Sequence, residues 1–163
     1  MSKGYLSLDQ SLASTGWAVF KDSELVDFGV FQVSKTKPMD VRLMQIQKEV
    51  SDLYAQFEFE EVFFEDIQMQ AGNALTYKHL AYVQAALMLW CGNMDINYDI
   101  LAPSHWRKVL GGSFGRKRAE QKQHAIDLVK DWYDRDVTTD EADAICLGRA
   151  GILEKNSHKV AFG

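Results

Sequence analysis

The chain is poor in the residues that mark several common protein classes. It has two cysteines, Cys91 and Cys146, each in apolar surroundings with no second cysteine nearby. That argues against a disulfide scaffold, and without a CxxC pair a structural zinc site has nothing to start from. Buried free thiols in a reducing compartment fit better, which places the protein in the cytoplasm. No long uninterrupted apolar run is present either. The most apolar region, 74–92, is broken by Lys78, His79 and Gln84, so no membrane span is expected. The N-terminus carries one lysine and no long apolar stretch behind it, so no signal peptide is expected. A surplus of positive charge is also missing: the formal net charge is −5. That balance argues mildly against a polyanionic partner, but it hides a local asymmetry. Between Ser104 and His124 lie Arg107, Lys108, Arg116, Lys117, Arg118 and Lys122 against the single acid Glu120, and a local basic patch is what matters for phosphate contacts.

What is present is ordinary for a globular protein. Hydrophobic residues make up 47% of the 163 and charged ones 25%, enough for one domain over 1–163 with a real core. Residues 5–9 and 16–21 read as two strands of a hairpin, and 25–33 as a third strand. Val41, Met44, Ile46, Val50, Leu53, Tyr54 and Phe57 recur at helical spacing over 40–57. The aromatic-rich stretch EEVFFEDIQ, 60–68, reads as a fourth strand, 74–91 as a long apolar helix and 96–101 as a fifth strand. Pro103 suits the first turn of a helix. A glycine loop at 111–115 separates it from helices over 116–134 and 139–154, with the last residues frayed. Three strands followed by strand–helix alternation predict an α/β fold. Its five-stranded sheet is mixed, an antiparallel meander and then parallel strands, with helices on both faces.

Acids recur at the ends of these elements. Asp9 closes the first strand directly after Leu8, where an unpaired carboxylate is costly to bury. Glu65 follows Phe63 and Phe64 near the end of the fourth strand, a position that propensity and burial both disfavour for glutamate. Alternation sends Glu65 and Asp66 to opposite faces, so only one of them can join Asp9. Asp140 and Asp143 share a face at the start of the last helix. Glu141 lies elsewhere and fits a capping box with Thr138. Each acid has a plain rival reading: a turn for Asp9, favourable contact with the helix dipole for the DxxD. Together they fit an oxygen-only site, whose repulsion a hard cation such as Mg²⁺ or Mn²⁺ would relieve. Two such ions form a clamp for in-line attack on a phosphodiester.

LSLDQSLASTGWAVF, FFEDIQ and TDEADAICLG together resemble the RuvC Holliday junction resolvases of the RNase H-like superfamily, in order and over nearly the whole chain. The resemblance implies Asp9, Glu65, Asp140 and Asp143 as catalytic, metal-binding acids holding two Mg²⁺ or Mn²⁺ ions. It implies a homodimer whose interface includes helix 74–91, so that two active sites can nick a four-way DNA junction symmetrically. The basic residues Arg107, Lys108, Arg116, Lys117, Arg118 and Lys122 become candidate DNA contacts, set against a plain solvated helix face. Trp106 and Phe114 could stack on bases, although Trp106 reads better as core. The chain departs from the family where RuvC carries a base-probing aromatic: here stand Gln68 and Met69, which become the candidate contacts at that spot. Such divergence, like the acidic balance, resembles phage or viral members. Four scattered histidines lack ligand spacing, His105 being the one nearest the basic loop. Rival functions are an RNase H-type nuclease on RNA–DNA hybrids, a junction-binding protein with little cleavage, and an actin-like phosphotransferase, for which the chain is short.

Overall fold

The computed structural model describes residues 2–69 and 73–162, with side chains through Ser157. Strand β1 (Gly4–Asp9) runs antiparallel to β2 (Ser14–Lys21), and β2 antiparallel to β3 (Glu24–Gln32). After helix α1 (Met39–Phe57), strand β4 (Glu61–Glu65) pairs parallel with β1. After helix α2 (Ala74–Met94), strand β5 (Asn97–Leu101) pairs parallel with β4. The order across the sheet is β3-β2-β1-β4-β5, the expected meander joined to parallel strands. Three helices complete the chain: α3 (Pro103–Leu110), α4 (Arg118–Tyr133) and α5 (Thr139–Phe162).

Period-two alternation splits the core into two halves. Leu6, Leu8, Val62 and Phe64 point to one face and pack with Ile46 and Val50 of α1 and Val83 and Leu87 of α2. Tyr5 and Phe63 point to the other face and pack under Trp106 of α3, Val129 of α4 and Ile145 of α5. Both central strands are therefore covered on both sides, as their near-continuous apolar runs require. Helix α5 lies directly on the sheet because Gly148 leaves room for it: a Cβ there would come within 2.3 Å of the Phe20 ring and 2.6 Å of Ser7 Oγ. Ser7, fully buried, donates its hydroxyl to the Ala144 carbonyl and ties β1 to α5.

Several boundaries move from expectation. Strand β4 stops at Glu65 and not at Gln68, because its neighbours β1 and β5 end at the same level and leave 67–68 without a ladder partner. The last bond there is Asp66 N–H to the Leu101 carbonyl, 2.9 Å. Helix α2 runs past Gly92 to Met94 and ends in a left-handed Asp95 whose N–H reaches back to Cys91 and Gly92. Helix α4 begins at Arg118, two residues late, and α5 continues to Phe162 where fraying was expected after 154. Met44, assigned to the buried stripe of α1, is 56% exposed. The Thr138–Glu141 capping box forms, with Glu141 Oε1 accepting from Thr138 N–H at 2.9 Å and Thr138 Oγ1 from Glu141 N–H at 3.3 Å. Cys91 and Cys146 are both free and buried, and burial pushes the Cys91 thiol up to about 12.

Helix α2 is apolar nearly all round, yet among the described residues only one side of it is covered. Val83, Ala86, Leu87, Trp90 and Cys91 are buried, and Trp90 Nε1 donates to Ser51 Oγ of α1 at 2.8 Å. Leu75 and Leu89 stand 64% and 63% exposed on the opposite side. No helix among the described residues is long and apolar enough to cross a membrane.

Candidate active site

The parallel pairing of β1 and β4 sets where the acids meet. Leu8 is in register with Phe64, so one step further Asp9 and Glu65 leave the sheet side by side. They point to the face that carries Tyr5, Ser7 and Phe63, the face covered by α5. The first turn of α5 crosses this strand end. Its approach needs Gly16 on β2: a Cβ there would lie 2.1 Å from the Asp140 carbonyl oxygen. Ser14 Oγ then donates to Asp140 Oδ2 at 3.2 Å. Two strand ends and one helix start thus bring Asp9, Glu65, Asp140 and Asp143 into one open cleft of about 550 Å³.

The same cleft also carries basic residues. Arg107, Arg116, Arg118 and Lys122 line it, together with Gln68. Lys108, Lys117 and Met69 do not line it; Lys108 and Lys117 are exposed, and Met69 is 65% exposed beside residues 70–72, which lie outside the described region. Phe114 is corrected: it is buried, edge-on to Trp106 and His124, and so is unavailable for stacking on bases. His105 turns away from the cleft and pairs with Glu154 at 2.9 Å.

The electrostatics of the acids follow from crowding. Lost hydration, then the charges of Asp143, Glu65 and Asp140, hold the Asp9 carboxyl well above its ordinary range, with Lys122 opposing. Burial raises Glu65 as well, against a hydrogen bond from Trp106. Burial also raises Asp143, against its ion pair with Lys122 at 3.4 Å. The Arg107 Nε is buried and has no partner among the described protein atoms, although its guanidinium lies 5.0 Å over the Trp106 ring. A guanidinium that lines the cleft with an unspent N–H is suited to an anion.

Gln10 and Ser14 carry no site role in the sequence, and Trp106 reads there only as core or as a stacking ring. Gln10 sits directly after Asp9; its side-chain amide donates to the Glu65 carbonyl and accepts from the Glu65 N–H at 3.2 Å, clamping β4 to β1 at the site. Ser14 steadies Asp140. Trp106 Nε1 donates to Glu65 Oε2 at 2.8 Å. Polar residues next to a strand-end acid were a usable cue for Gln10; nothing in the local pattern pairs positions 65 and 106.

The donor set is all oxygen, and its members raise one another's proton affinity, so a hard divalent cation fits it by charge and by ligand type. Among the described residues no three His, Cys, Asp or Glu side chains already enclose a single ion position.

A mixed sheet in this order, with acids on two adjacent strand ends and on the helix crossing them, defines the RNase H-like class. Within that class the chain belongs to the crossover junction endodeoxyribonuclease RuvC family, which matches residues 5–149. RuvC of Rickettsia bellii strain OSU 85-389 is 26% identical over 155 residues, 93% of this chain and 98% of that protein. Among solved structures, Thermus thermophilus RuvC in complex with a Holliday junction substrate superposes with a TM-score of 0.79 at 14% identity, covering 95% of this chain and 96% of that one. The fowlpox virus resolvase in complex with Holliday junction DNA gives 0.60 at 14% identity, covering 95% and 99%. At such identity these two likenesses speak for the fold.

Proposed function

We propose that this protein is a divalent-metal-dependent endonuclease that resolves four-way DNA junctions by symmetric nicking, working in the cytoplasm through one nuclease domain over 1–163. The observation that carries the reading is the single cleft in which Asp9, Glu65, Asp140 and Asp143 face Arg107, Arg116, Arg118 and Lys122. The four carboxylates hold the cations, and two Mg²⁺ or Mn²⁺ ions match their number and charge. When bound, such a pair supplies an activated water and charge for both oxygens of an in-line displacement at phosphorus. The arginines and Lys122 seat the phosphates on either side of the scissile one and keep the strand in line. Ser14 and Gln10 fix Asp140 and the β4 end, so the acids need little reorganisation during reaction. Cleavage leaves a 5′-phosphate and a 3′-hydroxyl with no covalent intermediate. Gln68, in the cleft, and Met69, next to it, take the place of a base-probing aromatic.

Two symmetric nicks require two sites related by a two-fold axis. The uncovered apolar side of α2, with Leu75, Ala85 and Leu89, supports a homodimer built there, since a self-complementary helix face is a natural C2 contact. Two measurements test the reading: sedimentation of the free protein, and cleavage of a four-way junction in Mg²⁺ by wild type and Asp143→Asn. Loss of cutting with retained or tighter junction binding in the variant supports it; normal cutting by Asp143→Asn contradicts it.

A further inference from the structure

Trp106 is among the largest fully buried side chains, and its indole N–H is spent on a carboxylate of the cleft. A buried indole needs an acceptor, and a backbone carbonyl is the cheap one. Here the acceptor is Glu65 Oε2 at 2.8 Å, a side-chain oxygen whose neighbours include three other acids. The indole donates only, so Oε2 is the accepting oxygen and that bond holds the Glu65 rotamer, leaving Oε1 without it. The same ring supports Arg107 on one side, 5.0 Å away, and meets Phe114 of the glycine loop edge-on at 5.7 Å. One rigid side chain therefore touches an acid, a phosphate-seating arginine and the loop between α3 and α4.

We infer that Trp106 is a positioning residue: it sets the orientation of Glu65 for cation binding. The inference rests on Glu65 being a metal ligand. Outer partners of metal-binding carboxylates are worth roughly 10- to 100-fold in metal affinity. Phenylalanine at 106 keeps the ring beneath Arg107 and most of the packing and removes the N–H alone.

The test is Mn²⁺ titration of the DNA-free protein, with free Mn²⁺ read by electron paramagnetic resonance, for wild type, Trp106→Phe, Glu65→Gln and the double variant. Trp106→Phe should weaken Mn²⁺ binding roughly ten-fold or more. It should shift the Mg²⁺ needed for half-maximal junction cleavage by a similar factor, with the rate largely recovered at saturating Mg²⁺ and metal-free junction binding unchanged. The double variant should bind no more weakly than Glu65→Gln, because the tryptophan acts through that carboxylate. Wild-type Mn²⁺ affinity in Trp106→Phe, beside weakened binding in Glu65→Gln, overturns the positioning role and spares the metal site. Unchanged affinity in Glu65→Gln overturns both. Should Trp106→Phe fail to fold, ¹⁵N-tryptophan labelling of folded protein decides. One of the four indole resonances should move on Mg²⁺ addition and also be displaced by Glu65→Gln; if none responds to both, the role is overturned.

Discussion

Glu61 and Glu65 stand at the two ends of the same five-residue strand and point to the same face, yet they live in opposite environments. Glu61 is nearly buried and accepts from two lysines, Lys3 Nζ at 2.5 Å and Lys155 Nζ at 2.8 Å, and Lys155 also reaches Asp99 at 2.9 Å. Burial works against its charge, but the two lysines outweigh it and hold the carboxyl below its ordinary value. Glu65 has one neutral donor, the Trp106 indole, and shares its cleft with Asp9, Asp140 and Asp143; burial raises it, and the charges of Arg107 and Lys122 oppose the rise without cancelling it. One strand thus shows a carboxylate whose charge the fold satisfies and a carboxylate whose charge it leaves for something else to satisfy. The lysines that contact the carboxylate at the first residue of β4 have no counterpart in contact with Glu65 among the described residues; Arg107 and Lys122 act on it only at longer range.

Breaking that contrast by removing each carboxyl in turn gives the largest effect. Glu65→Gln should lower junction cleavage by at least about 10²- to 10³-fold, the scale of losing one preorganised electrostatic contact. Glu61→Gln should leave the cleavage rate within about two-fold while costing roughly 1–3 kcal/mol of stability, since Lys3 and Lys155 lose a charged acceptor. Denaturant unfolding and single-turnover cleavage read the two quantities separately.

Divalent ions sharpen the contrast next. Mg²⁺ at one hundred times its Kd should stabilise wild type by about 2.7 kcal/mol, or roughly 5–10 °C in Tm for a chain of this size. Asp9→Asn should melt a few degrees higher than wild type without Mg²⁺ and gain almost nothing from it. Differential scanning fluorimetry measures both.

The pH dependence of the metal-free protein has opposite signs at the two ends of β4. Asp9, Glu65 and Asp143 bind protons more tightly folded than unfolded, so they erode stability as pH rises from the unfolded carboxylate range, near 4, through their raised values. Glu61 does the reverse: its contribution is present above that range and is lost as pH falls through its lowered value. Metal-free stability should therefore peak in mild acid. Asp9→Asn should flatten the decline toward neutral pH, and Glu61→Gln the decline toward low pH, in urea melts across pH.

The smallest effect concerns the basic residues. Neutralising Arg116 and Arg118, which line the cleft, should reduce the salt slope of junction binding by about 2. Neutralising Lys108 and Lys117, which do not, should change it by less than half of that. Fluorescence anisotropy across NaCl concentrations separates the pairs.

Much of this was legible in the sequence because its causes are local. The alternation in β1 and β4, the DxxD spacing and the Thr138–Glu141 box are each written within a few residues, and all three appear as expected. Four acids read from three separate segments converge in one cleft. What stayed hidden depends on partners far along the chain. Strand β4 ends at Glu65 because β1 and β5 end there, which no property of Asp66–Gln68 announces. Phe114 is core because Trp106 and His124 close around it, although a glycine loop advertises exposure. The clamp of Gln10 on Glu65 and the bond from Trp106 join positions 55 and 41 residues apart. Basic residues were the least legible, since backbone placement and not charge decides that Arg118 and Lys122 of α4 line the cleft while Lys108 of α3 and Lys117, extended ahead of α4, do not.

The measurement that bears most directly on the central claim is cleavage of an end-labelled four-way junction, beside a linear duplex and an RNA–DNA hybrid, with and without Mg²⁺. The account predicts paired, symmetric nicks in the junction that require Mg²⁺ and leave duplex and hybrid intact. Cleavage of the hybrid alone, or tight junction binding with no cutting in any divalent ion, would contradict it.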